Sequence, residues 1–365
     1  MGDTSPLLER FMSLDPCILG IGTAAPDFKV SRALGYELAL DCSPSLPEDK
    51  LRHLYDECGV TSRGSIFDVA GMRDSILEGP GGHGATTEAR LSHFMPNAIE
   101  LGSAAADRAF HESGCTPRQV THLVTVSCTG ARSPGIDHGL IERLGLSRDV
   151  SRTHVGFMGC HAGLNGLALA SAFVRANPDA VVMLVCVELC SLHYQVDDPR
   201  WDQQVANAIF ADGAACALIG SSTEAPRITG VMSRVFPGTA SRMGWEIGQH
   251  GFRMTLSPRV PGLIRRHLGS WLEQWLAPRG LTPADIDRWV VHPGGRDILE
   301  GVRRGLELDP ACLSESERVL ERHGNMSSAT ILWVLKAQMA SSPVGPVLAL
   351  AFGPGLTGEG ILIAP

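Results

Sequence analysis

The sequence predicts an α/β protein made of two duplicated halves around central sheets. Three observations carry this. Short β-type runs alternate with Ala- and Leu-rich helical stretches, the order that lays helices over sheets. The stretch Gly114-Cys-Thr-Pro-Arg-Gln-Val-Thr-His-Leu-Val-Thr-Val-Ser127 returns as Gly280-Leu-Thr-Pro-Ala-Asp-Ile-Asp-Arg-Trp-Val-Val-His-Pro293, an offset of 166 residues. The composition is that of an ordinary globular chain, with 365 residues, 44% hydrophobic and 19% charged. That length allows two to three units of roughly 100–200 residues, or one large fused core.

Taken in order, the first strand falls on 17–22, Cys-Ile-Leu-Gly-Ile-Gly, and a helix on the Ala-rich stretch 98–113. A strand over 122–127 follows, rich in Val and Thr. A second helix, 160–176, opens at Gly159-Cys160, and strands at 180–188 and 214–220 are nearly continuous apolar runs. In the second half come a helix over 260–276, a strand over 289–292, helices over 295–306 and 326–339, and a strand over 346–352. No low-complexity linker interrupts this order, and the halves divide as 1–225 and 226–365.

The formal charge of −8 provides no basic field for a nucleic-acid backbone, so no nucleic-acid partner is expected. Ten cysteines are scattered singly, without a CxxC pair or zinc-ligand spacing, and read as reduced cytosolic thiols with no metal site. The longest apolar run is about eight residues, under half of the roughly 20 that a membrane span needs. The N-terminal stretch Met1-Gly-Asp-Thr-Ser-Pro-Leu-Leu-Glu-Arg10 lacks the basic and apolar regions of a signal peptide. A cytoplasmic location is the expectation.

The duplication singles out three residues. Gly159-Cys160 opens one apolar helix and Gly324-Asn325 opens another at nearly the same offset, while His292 ends a strand before a Gly-rich turn. If the halves pack pseudo-symmetrically, both helix starts and that strand end meet in one crevice. A thiol at a helix start feels the positive end of the dipole, which favours thiolate. His161 follows directly, but adjacent residues on a helix point about 100° apart, so it is expected to take no catalytic part. Asn325 could cap its helix and also donate to an oxyanion. Such a Cys–His–Asn set could serve a cysteine hydrolase, or carbon–carbon bond formation on a thioester-bound acyl group. Spacing does not choose between them.

The motifs Gly159-Cys160, Val205-Ala-Asn-Ala-Ile-Phe-Ala-Asp-Gly-Ala214, Val291-His-Pro-Gly-Gly295, Gly324-Asn-Met-Ser-Ser-Ala329 and Phe352-Gly-Pro-Gly-Leu-Thr357 resemble the type III polyketide synthases, the chalcone synthase family. The resemblance runs from Ile18 to the C-terminus. It implies a thiolase-like fold layered α-β-α-β-α with two central mixed sheets, and an acyltransferase that condenses malonyl-CoA onto an acyl-CoA starter. It implies Cys160 as the nucleophile carrying the chain, His292 and Asn325 as its partners, and Phe210 as a gatekeeper that desolvates the malonyl carboxylate. No bound cofactor is implied beyond the coenzyme A thioesters, and a homodimer is; Ser133 stands where the plant enzymes carry a Met that crosses the interface.

The same resemblance implies coenzyme A contacts from Lys50, Arg52, Gly294 and Gly295, although His53 and Glu57 stand at positions that are cationic in the plant enzymes. Glu188 and Ser327 match members of a hydrogen-bond network that favours aldol closure in stilbene-type enzymes. Its third position, Thr in plants, is Cys128, and a thiol is the weaker donor and acceptor. This tilts the expectation toward lactonisation to a pyrone. Cys190 and His193 replace Thr, and Met254 replaces Phe, in the expected cavity wall, to which Phe352 is also assigned. Met adapts its shape, which suits a flexible fatty acyl starter. The surroundings of Cys160 and Met243-Gly-Trp245 are similar to bacterial alkylpyrone and alkylresorcinol synthases. The nearest rivals are an initiating β-ketoacyl-acyl-carrier-protein synthase and a Cys-dependent thioester hydrolase; a non-catalytic homologue would not need the intact triad.

Overall fold

The computed structural model describes residues 15–341 and 343–365; the N-terminal stretch read above for targeting signals lies outside them. Its strands are β1 (Pro16–Ala24), β2 (Phe28–Ser31), β3 (Ser62–Ser65), β4 (His122–Ser127), β5 (Ser151–Gly156), β6 (Val182–Leu189), β7 (Asp212–Ser221), β8 (Arg227–Val235), β9 (Met243–Gly248), β10 (Gly251–Leu256), β11 (Arg288–Val291), β12 (Val347–Gly353) and β13 (Thr357–Ala364). Among the described residues, nine strands form one sheet in the order β11-β12-β13-β8-β1-β7-β6-β4-β5, and β2–β3 and β9–β10 form separate ribbons.

The duplication is written in the strand senses. β4 runs parallel to β6, β6 antiparallel to β7, and β7 antiparallel to β1. β11 repeats this with β12, β13 and β8. Upstream of β4, Thr116 closes a capping box with Gln119; upstream of β11, Thr282 closes one with Asp285, at the repeat offset. The two central sheets expected from the sequence are the two halves of one ladder. They join where β1 meets β8 at Cys17↔Arg227, with the Ile18 N–H donating to the Pro226 carbonyl at 2.9 Å.

Alternation along the strands builds the layers. On β6, Val182, Leu184 and Cys186 face inward onto the central helices Ala162–Ala176 and Thr330–Met339, in one cluster with Val347, Ala349 and Ala351 of β12. Met183, Val185 and Val187 face the other way, onto the Phe94–Ser113 helix. Leu348, Leu350 and Phe352 of β12 likewise face outward, onto the Val260–Leu276 and Arg296–Gly305 helices. The result is helices, sheet, central helices, sheet, helices. Gly22 of β1 lies against the Phe94–Ser113 helix so closely that a Cβ there would collide with the Ala105 carbonyl. All ten cysteines are free thiols, and among the described residues no helix is long and apolar enough to cross a membrane.

The parallel strands β4 and β6, and β11 with β12, end on the side where the two central helices begin. Strand ends and helix starts of this kind gather polar groups at one place. Cys128, Glu188, His292 and Pro354 stand at or just beyond those four strand ends.

Candidate active site

Cys160 sits in the turn before the Ala162–Ala176 helix, two residues later than the sequence alone placed the boundary. Gly159 precedes it with φ 81°, and a side chain there would collide with Pro354, so only glycine admits this turn. The thiol is buried, 8% exposed. Burial pushes its pKa up to about 11, with the Glu188 carboxylate raising it further, against hydrogen bonds from Ser327 and Asn325 that favour thiolate. The helix start alone suggested a lowered value; desolvation outweighs it, and the resting side chain is a neutral thiol.

Asn325 is mounted by its backbone. Its N–H donates to the Ile209 carbonyl at 2.8 Å, and its carbonyl accepts from Ala211 at 2.9 Å. Its Oδ1 accepts the Ser327 N–H at 2.9 Å. The oxygen is therefore taken up in this local turn, leaving the amide N–H groups to reach the thiol. The helix that follows starts only at Thr330, after a Ser327–Ala329 turn, so Asn325 is not its N-cap as the sequence suggested.

His292 follows the last residue of β11, 1% exposed. Its N–H donates to the Leu350 carbonyl at 2.8 Å, which holds the chain in the ladder for one more residue. Neither ring nitrogen has a hydrogen-bond partner. Burial, with a further push from His161, lowers its pKa to about 3, so the ring is neutral at physiological pH. A buried imidazole with both nitrogens unsatisfied is costly, by about 1–3 kcal/mol, and marks a site built for a ligand.

A narrow cavity opens over the thiol, lined by Cys128, Thr129, Cys160, Cys190, Phe210, Met243, Trp245, Met254, Ser327 and Pro354. A second narrow chamber shares Cys190, Phe210 and Trp245 with it and continues to Leu38, Met72 and His193. Phe210 ends the Trp201–Ile209 helix and stands between the two. His193 belongs to the second chamber, where its ring stacks on Phe252 at 4.0 Å and its Nε2 meets the Thr129 carbonyl at 2.8 Å. The β9–β10 ribbon roofs the cavity, and the Trp245 indole donates to the Cys128 carbonyl at 2.8 Å.

Three assignments made from sequence are corrected. Phe352 lies on the outward face of β12, in the core under the Val260–Leu276 helix; Pro354, two residues on, reaches the cavity in its place. The Glu188 carboxylate is bound by Ser328 and by Thr129 (2.9 Å), with the Cys128 N–H at 2.9 Å, not by Ser327 and the Cys128 thiol. The reason is local: Ser327 has φ 46° and turns to Cys160, while the Cys128 sulfur accepts the Gly159 N–H at 3.0 Å. The carboxyl is fully buried, and its pKa is pushed up to about 7 by desolvation. Thr129, Ser328 and Pro354 are the residues to which sequence reading gave no role; each is one or two positions from a residue it singled out.

Lys50 and Arg52 lie on the exposed Glu48–Glu57 helix, where Arg52 bonds Glu48 at 3.1 Å and covers the Tyr36 ring. Gly294 and Gly295 lead into the Arg296–Gly305 helix, whose Arg296 meets Glu57 at 3.0 Å. The helix that carries Lys50 and Arg52 and the glycine turn thus border one another. Among the described residues no group of His, Cys, Asp and Glu is arranged to hold a metal ion.

Comparison with known proteins places this geometry in context. The family model described as "Chalcone and stilbene synthases, N-terminal domain" matches residues 15–223, and its C-terminal counterpart matches 227–365. The 1,3,6,8-tetrahydroxynaphthalene synthase of Streptomyces peucetius subsp. caesius is 33% identical over 100% of this chain and 96% of its own. The alpha-pyrone synthesis polyketide synthase-like Pks18 of Mycobacterium tuberculosis is 30% identical over 86% of this chain and 82% of its own. The crystal structure of PKS-I from the brown alga Ectocarpus siliculosus superposes with a TM-score of 0.88 at 31% identity, covering 96% of this chain and 98% of that one.

Proposed function

This chain belongs to the chalcone and stilbene synthases, the type III polyketide synthases, and from that premise we propose that it extends a fatty acyl starter, held on Cys160, with malonyl-CoA and closes the product as an alkylpyrone. The observation that carries the reading is His292: a buried, neutral imidazole with two unpartnered nitrogens, whose charge is opposed by His161, the residue that follows Cys160. A neutral imidazole offers one N–H and one lone pair. The lone pair takes the Cys160 proton as the thiol attacks the starter thioester, and the proton leaves on the coenzyme A thiol.

In the extension step the ring N–H and the Asn325 amide donate to the malonyl thioester oxygen. The malonyl carboxylate loses carbon dioxide, its bonding electrons pass to the enolate those donors hold, and the enolate carbon attacks the acyl thioester on Cys160. The released sulfur takes up a proton, so one proton is consumed per extension. Phe210 presents an apolar ring beside this carboxylate and disfavours its charged form.

The starter class is argued from the walls. Met243, Met254, Phe210, Trp245 and Pro354 offer apolar, adaptable surface and few polar contacts for an aromatic hydroxyl. The pyrone closure is argued from Glu188, whose oxygens are taken up by Ser328, Thr129 and the Cys128 N–H and are not relayed to Cys160 through Ser327. The name of Pks18 points the same way; that of the tetrahydroxynaphthalene synthase points to a fused aromatic product, which the experiment distinguishes. Lys50, Arg52, Gly294 and Gly295 would meet the coenzyme A moiety. A homodimer fits the exposed Phe157 (44%) and Met158 (41%), which follow the edge strand β5.

The test is incubation with malonyl-CoA and acetyl, hexanoyl, long-chain and aromatic acyl-CoA starters, with products read by mass spectrometry beside Cys160→Ala. Chain-extended pyrones from the fatty starters, absent in the variant, support the reading. Products from malonyl-CoA alone would replace the starter assignment, and free acids without added carbon would sink the condensation itself.

A further inference from the structure

One fully buried cation has no part in the reaction as described. Arg90, on the short Thr87–Ser92 helix, is 0% exposed. Among the described residues no carboxylate pairs with it; its guanidinium donates instead to four main-chain carbonyls. Nε reaches Ala85 at 2.7 Å, one terminal nitrogen reaches Leu192 at 2.9 Å and Tyr194 at 2.7 Å, and the other reaches Ile76 at 3.2 Å. Burying a charge is costly unless its donors are satisfied, and carbonyl oxygens satisfy them here.

Two of those carbonyls belong to the cavity wall. Leu192 and Tyr194 flank His193 at the end of the Cys190–His193 turn, in which Cys190 lines both chambers and His193 lines the second. The His193 ring is fixed between the Thr129 carbonyl, 2.8 Å from Nε2, and the Phe252 N–H, which donates to Nδ1 at 3.1 Å. A carbonyl calls for a hydrogen on Nε2 and an N–H for a lone pair on Nδ1, so this ring is neutral.

The roof is fastened to the same place. Gly251 opens β10 so close to the guanidinium that a Cβ would stand 3.1 Å from Nη1. Thr87, the first residue of the Arg90 helix, accepts the Gly251 N–H on its hydroxyl at 2.8 Å and donates its own N–H to the Gln249 carbonyl at 2.8 Å. The ribbon held in this way carries Trp245 and Met254 over the thiol's cavity.

We propose that Arg90 is a positioning residue for starter selection: it holds the Cys190–His193 turn against the β9–β10 ribbon and so sets how much acyl chain fits beyond the Cys160 thiol. The proposal rests on the reading of this cavity as the acyl site. A guanidinium suits the task because its planar fork fixes several carbonyls in one geometry, which the three donors of a lysine on a flexible stem do not. Both chambers are narrow, so a small parting of wall and roof decides which chain enters. Without the fork they part, and longer chains gain.

The test is competition between equimolar hexanoyl-CoA and long-chain acyl-CoA for loading of Cys160, without malonyl-CoA, in wild type, Arg90→Lys and Thr87→Val. Intact mass gives the ratio of the two acyl groups on the protein, and a thermal melt accompanies each variant. The ratio is expected to move toward the long chain by about tenfold in Arg90→Lys, the worth of about one methylene of fit in an apolar pocket. Thr87→Val loosens only the ribbon and leaves the guanidinium on its four carbonyls; it stays folded and moves the ratio in the same direction.

A general loss of structure slows loading of both chains alike and leaves their ratio unchanged. An unchanged ratio in the folded variants, or a shift toward hexanoyl, therefore overturns the proposal while the functional reading stands. Where Arg90→Lys does not fold, Thr87→Val decides alone. A wild type that loads neither chain would sink the functional reading and this inference with it.

Discussion

Phe210 and Asn325 are joined through the backbone: they pair as an isolated parallel bridge, with the Asn325 N–H on the Ile209 carbonyl at 2.8 Å and the Ala211 N–H on the Asn325 carbonyl at 2.9 Å. The ring that lies between the two chambers and the carboxamide beside the thiol therefore share one mount. Because the link is main chain, side-chain replacement at 210 leaves Asn325 in place. Phe210→Leu is expected to slow release of carbon dioxide from malonyl-CoA about tenfold, a barrier change of about 1.4 kcal/mol. Melting should change by less than about 1.5 kcal/mol. Trapped carbon dioxide and a thermal melt check the two halves; equal loss of both would mean the ring is packing alone.

The unsatisfied ring of His292 makes a prediction about stability. A leucine there fills similar space and removes two orphaned nitrogens whose burial costs about 1–3 kcal/mol. His292→Leu should therefore melt higher than wild type while condensation is lost, with loading of Cys160 and release of carbon dioxide both impaired. A lower melting temperature would mean that the ring has a structural partner.

How much of this was legible in the sequence depends on the range of the interaction. The duplication was, because turn chemistry is local: Thr116 with Gln119 and Thr282 with Asp285 close the same box before equivalent strands. The approach of Asn325 to Cys160 was, because the repeat predicts which helix starts face one another. Strands β8 and β13 were not. β13 reads Thr-Gly-Glu-Gly before its apolar half, and its buried Glu359 is bonded by Ser233 on a neighbouring strand. The partners of Glu188 were misread by one residue each, because a φ of 46° at Ser327 reverses which of two adjacent serines faces inward. The Cys160 pKa was misjudged in sign because the helix start is visible in sequence and the depth of burial is not.

Glu188 gives a pH dependence. Its pKa is raised from 4.5 in the unfolded chain to about 7 in the fold, chiefly by burial. A raised acid favours the fold while protonated, so its contribution is full below about pH 4.5 and is lost as pH rises through 7. The span corresponds to about 3 kcal/mol as an upper figure. Glu188→Gln keeps the shape without the ionisation, since the Ser328 hydroxyl can turn to accept. Relative to wild type, the variant should gain melting temperature steadily between pH 5 and 8, and a difference that does not vary with pH would mean that the carboxyl does not titrate there.

Met254 sets the last expectation, on the starter. Its side chain lines the thiol's cavity, while its backbone N–H is held by the Gln203 side chain at 2.9 Å, so the residue's position survives a change of side chain. Met254→Phe stiffens and shortens the space available to an acyl chain; Met254→Ala opens it at a cost of about 2–5 kcal/mol in core packing. With equimolar hexanoyl and long-chain starters in competition, the product ratio should move toward the short chain in the phenylalanine variant and toward the long chain in the alanine variant. The two shifts are expected to be opposite. A common shift in both variants would mean that the acyl chain leaves the thiol by another wall, and the shared boundary at Phe210, Cys190 and Trp245 with the second chamber would then be its route.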